Sequence, residues 1–278
     1  MDSFRSTPEH DRRPMTDDRG SPTVDAEGTD TRRDAGRRLT DGYAAVVFDM
    51  DGTLVEFTGR DLRHETAVEA FDEAGIAPTD DELAAVVDGS TANARAVCRD
   101  RGVDPAAFYD PFDRLLAERQ RAVVADGGKR PYDDALRALE ELTAPAARRE
   151  RADGGPPPVD VAVVSNNYQS VVDDVIERYF PDRFAVAYGT EPGEADRRRR
   201  KPDPHFLLRA VDDLGVDPAA TLLVGDSADD VDAAAAAGVD VAHLRRDPDR
   251  GRSEPDPDAA PTYRVDGLDE LLAVVTGG

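Results

Sequence analysis

Cysteine is all but missing from this 278-residue chain. Cys98 stands alone, which excludes an intramolecular disulfide framework and a cysteine-based metal cluster. Its expected place is that of a small apolar filler on a helix. Lysine is nearly as scarce: among 35 basic residues only Lys129 and Lys201 are lysine. Long apolar runs are absent too. No window approaches the roughly 18 consecutive apolar residues of a membrane span. The first forty residues hold no continuous apolar segment of the kind a secretory signal requires. A soluble, cytoplasmic protein is therefore expected. Basic charge is in deficit overall, with 59 acidic residues against 35 basic and a formal net charge of -24. Such a field repels nucleic acid and anionic membrane, so neither is expected as a partner.

What is present has a clear order along the chain. Residues 1 to 40 show no apolar period and are rich in charge, Pro, Gly, Ser and Thr, which predicts a disordered tail, or an overcalled start before Met15. The acidic, lysine-poor composition resembles that of proteins from salt-loving archaea, where concentrated salt screens self-repulsion. After the apolar run AAVV come helix-period segments in residues 56 to 130, among them RDLRHETAVEAFDEAG, TDDELAAVVDG and DPAAFYDPFDRLLAERQRAVVADGG. They predict an inserted all-helical cap. From Pro131 the pattern alternates: PYDDALRALEEL is helical, and a Pro-, Gly- and Arg-rich loop follows. VDVAVVS, RFAVAY, TLLVGD and VDVAHL then read as strands, separated by helical segments and closed by the helix DGLDELLAVVTG. Alternation of this kind predicts an α/β fold, a Rossmann-like three-layer α/β/α core with a parallel sheet, built from residues 41–55 and 131–278.

The stretch FDMDGTL, residues 48 to 54, ends the first strand with two carboxylates, Asp49 and Asp51. In extended backbone, side chains two apart project to one side, where like charges repel. Something must offset that cost, or the site must use it. Two other strands end in polar residues, VAVVS at Ser165 and TLLVGD at Asp226, and in a parallel sheet all three ends meet at one edge. Carboxylates with a hydroxyl are the donors expected around a hard divalent cation.

The same residues suit phosphoryl transfer, which needs a nucleophile, a proton donor for the leaving group and positive charge for the phosphoryl oxygens. Asp49 can be the nucleophile and Asp51 the acid and base. Asp226, with Asp230 one helical turn on, can hold Mg²⁺ together with Asp49. Ser165 offers a hydroxyl beside the amides of a helix starting near Tyr168, although it and Asn166 can equally cap that helix. Asp226, Ser227 and Asp230 have the same capping alternative. Lys201 offers a fixed cation. In the run RRRRK from Arg197 to Lys201 the four arginines are expected in solvent, whereas a retained lysine points to a specific contact. His64, His205 and His243 are scattered and read as surface or packing residues, and Tyr132 as packing at the join between cap and core.

In order, DMDGTL, the strand ending in Ser165, the Lys201-Pro202 pair, GDSADD and DVDAAAAAG resemble the motifs of the haloacid dehalogenase superfamily. The resemblance is to its helical-cap phosphatases of phosphoglycolate phosphatase type. It implies that Asp49 is phosphorylated, that Asp51 is the general acid and base, and that Lys201 neutralises the nucleophile and phosphate. It also implies that Ser165, Asn166, Gly52 and Thr53 bind the substrate phosphate. Mg²⁺ would take Asp49, the Asp51 backbone carbonyl and Asp226, with Asp230, or its neighbour Asp229, in support. The acid at Asp51 favours phosphate esters over carbon–halogen or carbon–phosphorus bonds. The expected partner is a small phosphorylated metabolite, and the expected state a monomer or homodimer. Arg60, Arg63, Arg95 and Arg99 can reach a second anionic group, although exposure on helices is the plainer expectation. A phosphomutase like β-phosphoglucomutase and a non-catalytic phosphate-binding regulator are the alternative readings.

Overall fold

The computed structural model describes residues 42–57, 59–87, 91–144, 159–246 and 260–276. The tail expected over residues 1 to 40, and residues 145–158 of the Pro-, Gly- and Arg-rich loop, lie outside them. Six parallel strands form one sheet: β1 (Ala45–Phe48), β2 (Asp160–Tyr168), β3 (Val186–Thr190), β4 (Thr221–Gly225), β5 (Asp240–Leu244) and β6 (Tyr263–Val265). Their spatial order is β3-β2-β1-β4-β5-β6. The chain builds outward from β1 to one side through β2 and β3, then returns and builds to the other side from β4. The switch therefore falls between β1 and β4, and an open sheet of this kind offers its crevice beyond the carboxyl ends of those two strands.

All four residues of β1 are wholly buried, which explains why AVVF is continuously apolar. Val46 and Phe48 face one core, with residues of α5 (Asp133–Thr143), α6 (Gln169–Tyr179) and α10 (Leu268–Thr276). Val47 faces the other, with α8 (His205–Leu214) and α9 (Ala228–Ala237). Three layers result, as expected, and each such buried side chain contributes about 1.5–3 kcal/mol of hydrophobic stabilisation.

Between β1 and α5 the described residues hold four helices and no strand: α1 (Arg60–Glu73), α2 (Asp80–Val87), α3 (Thr91–Asp100) and α4 (Pro105–Ala125). Asp104 caps α4, accepting the Ala106 amide at 3.1 Å, and Pro105 takes the first helical position, where a missing N–H costs nothing. Phe71, Phe108, Tyr109 and Phe112 pack the centre of this insertion, and Cys98 is buried in it as a filler. The chain enters and leaves through two paired segments, with Glu56 N–H donating to Arg130 O at 2.8 Å and Tyr132 N–H to Leu54 O at 3.0 Å.

Two elements were not anticipated. β6 is a three-residue strand, too short to show alternation, and it exists through pairing with β5. α7 (Glu194–Arg197) forms inside the charged stretch before Lys201. β2 also runs on to Tyr168, so the helix after it starts at Gln169 and neither Ser165 nor Asn166 caps it. No helix among the described residues is long and apolar enough to cross a membrane.

Candidate active site

Asp49 follows β1 directly and is pinned by its own amide, which donates to Val224 O of β4 at 2.8 Å. Asp226 follows β4, and Asp230 lies in the first turn of α9. Carboxylate oxygens of Asp49, Asp226 and Asp230 all lie within 4.8 Å of one another. The three acids expected at the sheet edge are thus together, at the switch point between β1 and β4.

Lys201 enters this cluster. Its Nζ donates to Asp49 Oδ1 at 2.7 Å, Asp230 Oδ1 at 2.5 Å and Val164 O at 2.9 Å, and the residue is buried. Burial alone would strip the proton, but the carboxylates of Asp230 and Asp49 overcome it and hold the ammonium above its ordinary range. Asp230 answers in kind. Burial raises its carboxyl, yet Lys201 and the Ser227 hydroxyl and amide hold it below the usual range. Its Oδ2 accepts from Ser227 N at 3.0 Å and Ser227 Oγ at 2.5 Å, so the capping role and the lysine contact belong to one side chain. Asp229 is exposed, and it is Asp230 whose carboxylate lies with those of Asp49 and Asp226. Space for Asp230 depends on Gly225, where a Cβ would stand 2.2 Å from the Asp230 Cγ.

Asp51 does not share this spot. It opens a turn in which the next residue, Gly52, takes φ 91, a conformation open to glycine. One oxygen of its carboxylate receives Lys129 Nζ, and the other receives Asn167 Nδ2 at 2.7 Å. Each suspect aspartate therefore has its own lysine: Lys201 for Asp49 and Lys129 for Asp51. Lys129 is wholly buried and was not singled out from the sequence, although its rarity was the available signal. Asn167 Nδ2 also donates to Gln120 Oε1 of α4 at 2.8 Å, tying Asp51 to the helical insertion.

The remaining candidates take differing positions. Ser165 is buried, and its Oγ accepts the Asn167 amide at 3.1 Å, which leaves the hydroxyl proton to give. Thr53 is wholly buried and its Oγ1 has no partner among the described residues, an acceptor-seeking hydroxyl beside the Asp51 loop. The Gly52 amide donates to Val55 O at 2.7 Å, so glycine contributes backbone freedom to the turn. The Asn166 amide is engaged twice by the Lys201 backbone, at 2.9 and 2.7 Å, and positions the lysine loop.

A second ionic centre joins the insertion to the sheet-bearing part. Arg197 was expected in solvent but is buried. It makes a two-pronged pair with Asp113 of α4, one prong at 2.9 Å, and its guanidinium lies 4.1 Å from the Tyr109 ring centroid. Tyr168 OH donates to the same carboxylate at 2.7 Å, and burial followed by Asp113 pushes the phenol up to about 12. Burial raises Asp113, but Arg197 and Arg200 outweigh it and hold the carboxyl below its usual range. Of the cap arginines considered, Arg60 and Arg99 are exposed and Arg95 pairs with Glu194 at 3.0 Å. Arg95 thus also bridges to the helix that carries Arg197, while Arg63 stands in the field of Tyr168, Arg197, Arg200 and Asp113.

A parallel α/β sheet with clustered oxygen donors and a buried lysine at its switch point is the arrangement of a hydrolase that handles phosphoryl groups. Residues 43–238 match the haloacid dehalogenase-like hydrolases, and the chain belongs to that family as a phosphatase. A phosphoglycolate phosphatase of Thiobacillus denitrificans is 28% identical over 245 residues, 84% of this chain and 95% of that protein. An N-acetylmuramic acid 6-phosphate phosphatase of Pseudomonas aeruginosa is 29% identical over 209 residues, 72% of this chain and 81% of that one. The crystal structure of CbbY from Rhodobacter sphaeroides in complex with phosphate shares the fold, with a TM-score of 0.60 at 22% identity over 84% of this chain and 99% of that one.

Proposed function

We propose that the protein is a Mg²⁺-dependent, cytoplasmic phosphatase that hydrolyses a small phosphate monoester through a phosphorylated Asp49. One observation carries this reading: Asp49, Asp226, Asp230 and Lys201 converge at the β1–β4 switch point, and Asp51 stands two residues beyond the nucleophile. The donors are all oxygen and close together, which fits a hard divalent cation. Asp49, the Asp51 backbone carbonyl and Asp226 would hold it, with Asp230 in support. When bound, the ion supplies charge neutralisation for the phosphoryl oxygens.

In the first half of the reaction an Asp49 oxygen attacks phosphorus, the P–O ester bond breaks, and Asp51 gives its proton to the departing alkoxide. In the second half Asp51 takes a proton from water, which attacks the same phosphorus. The acyl-phosphate bond breaks, inorganic phosphate leaves, and Asp49 is restored. Lys201 holds Asp49 in place and neutralises it, while the hydroxyls of Ser165 and Thr53 donate to phosphoryl oxygens. Lys129 and Asn167 anchor Asp51 between turnovers, and that anchor must yield when the ester enters. The insertion acts as the cap, held over the site through Gln120–Asn167 and Asp113–Arg197.

Two relatives are named for different phosphate esters, and in this reading the core serves the reaction and the cap the choice of ester. The test is a phosphate-release screen over many esters in molar salt with Mg²⁺, with phosphoglycolate first and a hexose 1-phosphate included. Free phosphate from wild type and none from Asp49→Asn is expected. Activity surviving in that variant, or isomerised sugar phosphate without free phosphate, contradicts the reading.

A further inference from the structure

The run before Lys201 packs on α4 at the seam between cap and core, and Arg63 of α1 stands in the field of the charges there. Arg197 is matched there by Asp113, but Arg63 and Arg200 are not matched in the same way. The Arg63 side chain makes no hydrogen bond or ion pair among the described residues, and its Nε is shut off from solvent. Arg200 gives one bond, Nη2 to Thr190 Oγ1 at 3.1 Å, and lies 5.3 Å over the Tyr168 ring. Its Nε is buried without an acceptor. Buried donors without acceptors are costly, and buried cations more so. Burial weakens the hold of Arg63 on its proton; Tyr168 and Asp113 oppose this, while Arg197 and Arg200 add to it. Arg197 takes the Asp113 carboxylate, and Arg63 and Arg200 stand in its field without bonding it, inside a chain whose net charge is -24.

Position gives this excess a use. Arg200 adjoins Lys201, whose Nζ is 2.7 Å from Asp49. Tyr168 adjoins Asn167, which holds Asp51. Thr190, which accepts from Arg200, donates in turn to Asn167 O at 3.2 Å, so Arg200 is tied through one side chain to the residue that holds Asp51.

We propose that Arg63 and Arg200 form a subsite for a second anionic group, a carboxylate carried a few bonds from the phosphate ester, and thereby determine which ester is selected. Two buried N–H groups suit the two oxygens of a carboxylate. The inference rests on the phosphatase reading for its substrate, but its binding step stands by itself.

The test compares kcat/KM for phosphoglycolate and for ethyl phosphate, which lacks the carboxylate, in wild type, Arg63→Gln, Arg63→Lys and Arg200→Gln. Glycolate binding is measured in parallel by calorimetry, and circular dichroism confirms that each variant is folded. Either Gln variant should lower kcat/KM for phosphoglycolate about 30-fold, chiefly through KM, while ethyl phosphate changes less than about 3-fold. Arg63→Lys should recover part of the loss, since charge returns without the fork. Glycolate affinity should fall with the Gln variants. Equal losses on both esters, no loss on either, or no glycolate binding by wild type overturns the subsite. If wild type releases phosphate from no ester yet binds glycolate in an Arg63-dependent way, the phosphatase reading fails and the subsite stands.

Discussion

Two neighbouring regions of this molecule are charged in opposite senses. At the sheet edge three carboxylates, Asp49, Asp226 and Asp230, surround one ammonium, Lys201. In the seam one carboxylate, Asp113, is paired with Arg197 and stands in the field of two further guanidiniums, Arg63 and Arg200. Neither imbalance is favourable in a buried setting by itself, because desolvated charge is stabilised only when opposed. Together they describe a place for a cation beside a place for an anion. The proposed divalent ion and the carboxylate tail of the proposed ester would complete one each. The average field of the chain says nothing of this, since a net charge of -24 would by itself repel such a substrate.

The comparison can be broken from its strongest side first. Asp49→Asn keeps the shape of the edge and removes the nucleophile, so kcat for phosphate release should fall by about 10⁴-fold or more in steady-state assays. Lys201→Met leaves buried Asp49 and Asp230 unopposed. Denaturant unfolding without added metal should show a loss of about 3–5 kcal/mol, and millimolar Mg²⁺ should return part of it. An Asp113→Asn variant does the corresponding damage in the seam, leaving Arg197 without its carboxylate. A stability loss of about 3 kcal/mol is expected, with kcat for the remaining folded enzyme changed less than in Asp49→Asn. Gly225→Ala tests the edge by steric means alone, because the new methyl would meet Asp230. A loss of about 2 kcal/mol is expected from thermal or denaturant melting.

The smallest effect is the pH dependence of stability. Asp113 is held below its ordinary value of 3.8 in the folded protein, despite burial, by Arg197 and Arg200. A depressed folded value means the unfolded chain takes up the proton first, so this contribution is complete above about pH 4 and is lost as pH falls through the folded value. Unfolding free energies measured from pH 6 down to pH 3 should decline in wild type and decline less steeply in Asp113→Asn.

The fold and the sheet edge were legible because they rest on local pattern. AVVF, VAVV and TLLV announce buried parallel strands, and the polar residue closing each one marks the edge where it must emerge. What escaped depends on partners distant in sequence. β6 forms because β5 offers a pairing edge, and Arg197 is buried because Asp113 waits on a helix 84 residues earlier. A basic run next to an acidic stretch has the composition of a solvated surface, and nothing local distinguishes the arginine that turns inward. The lysine argument was applied to Lys201 and not to Lys129, although the two are equally rare. Extended backbone would put Asp49 and Asp51 on one side, but the chain turns directly after Met50, and the two carboxylates pair with separate lysines, Lys201 and Lys129.

The central claim is that Asp49 carries the phosphoryl group, and it can be tested without waiting for the natural ester. In an Asp51→Asn variant the base needed for hydrolysis is gone, whereas a donor with a good leaving group, such as acetyl phosphate, needs no acid to transfer. After incubation with acetyl phosphate and Mg²⁺ and an acid quench, peptide mass spectrometry should find one added phosphoryl group on the peptide containing Asp49. It should be absent when Asp49→Asn is combined with it. A phosphoryl group on another residue, or none on either protein, would contradict the account.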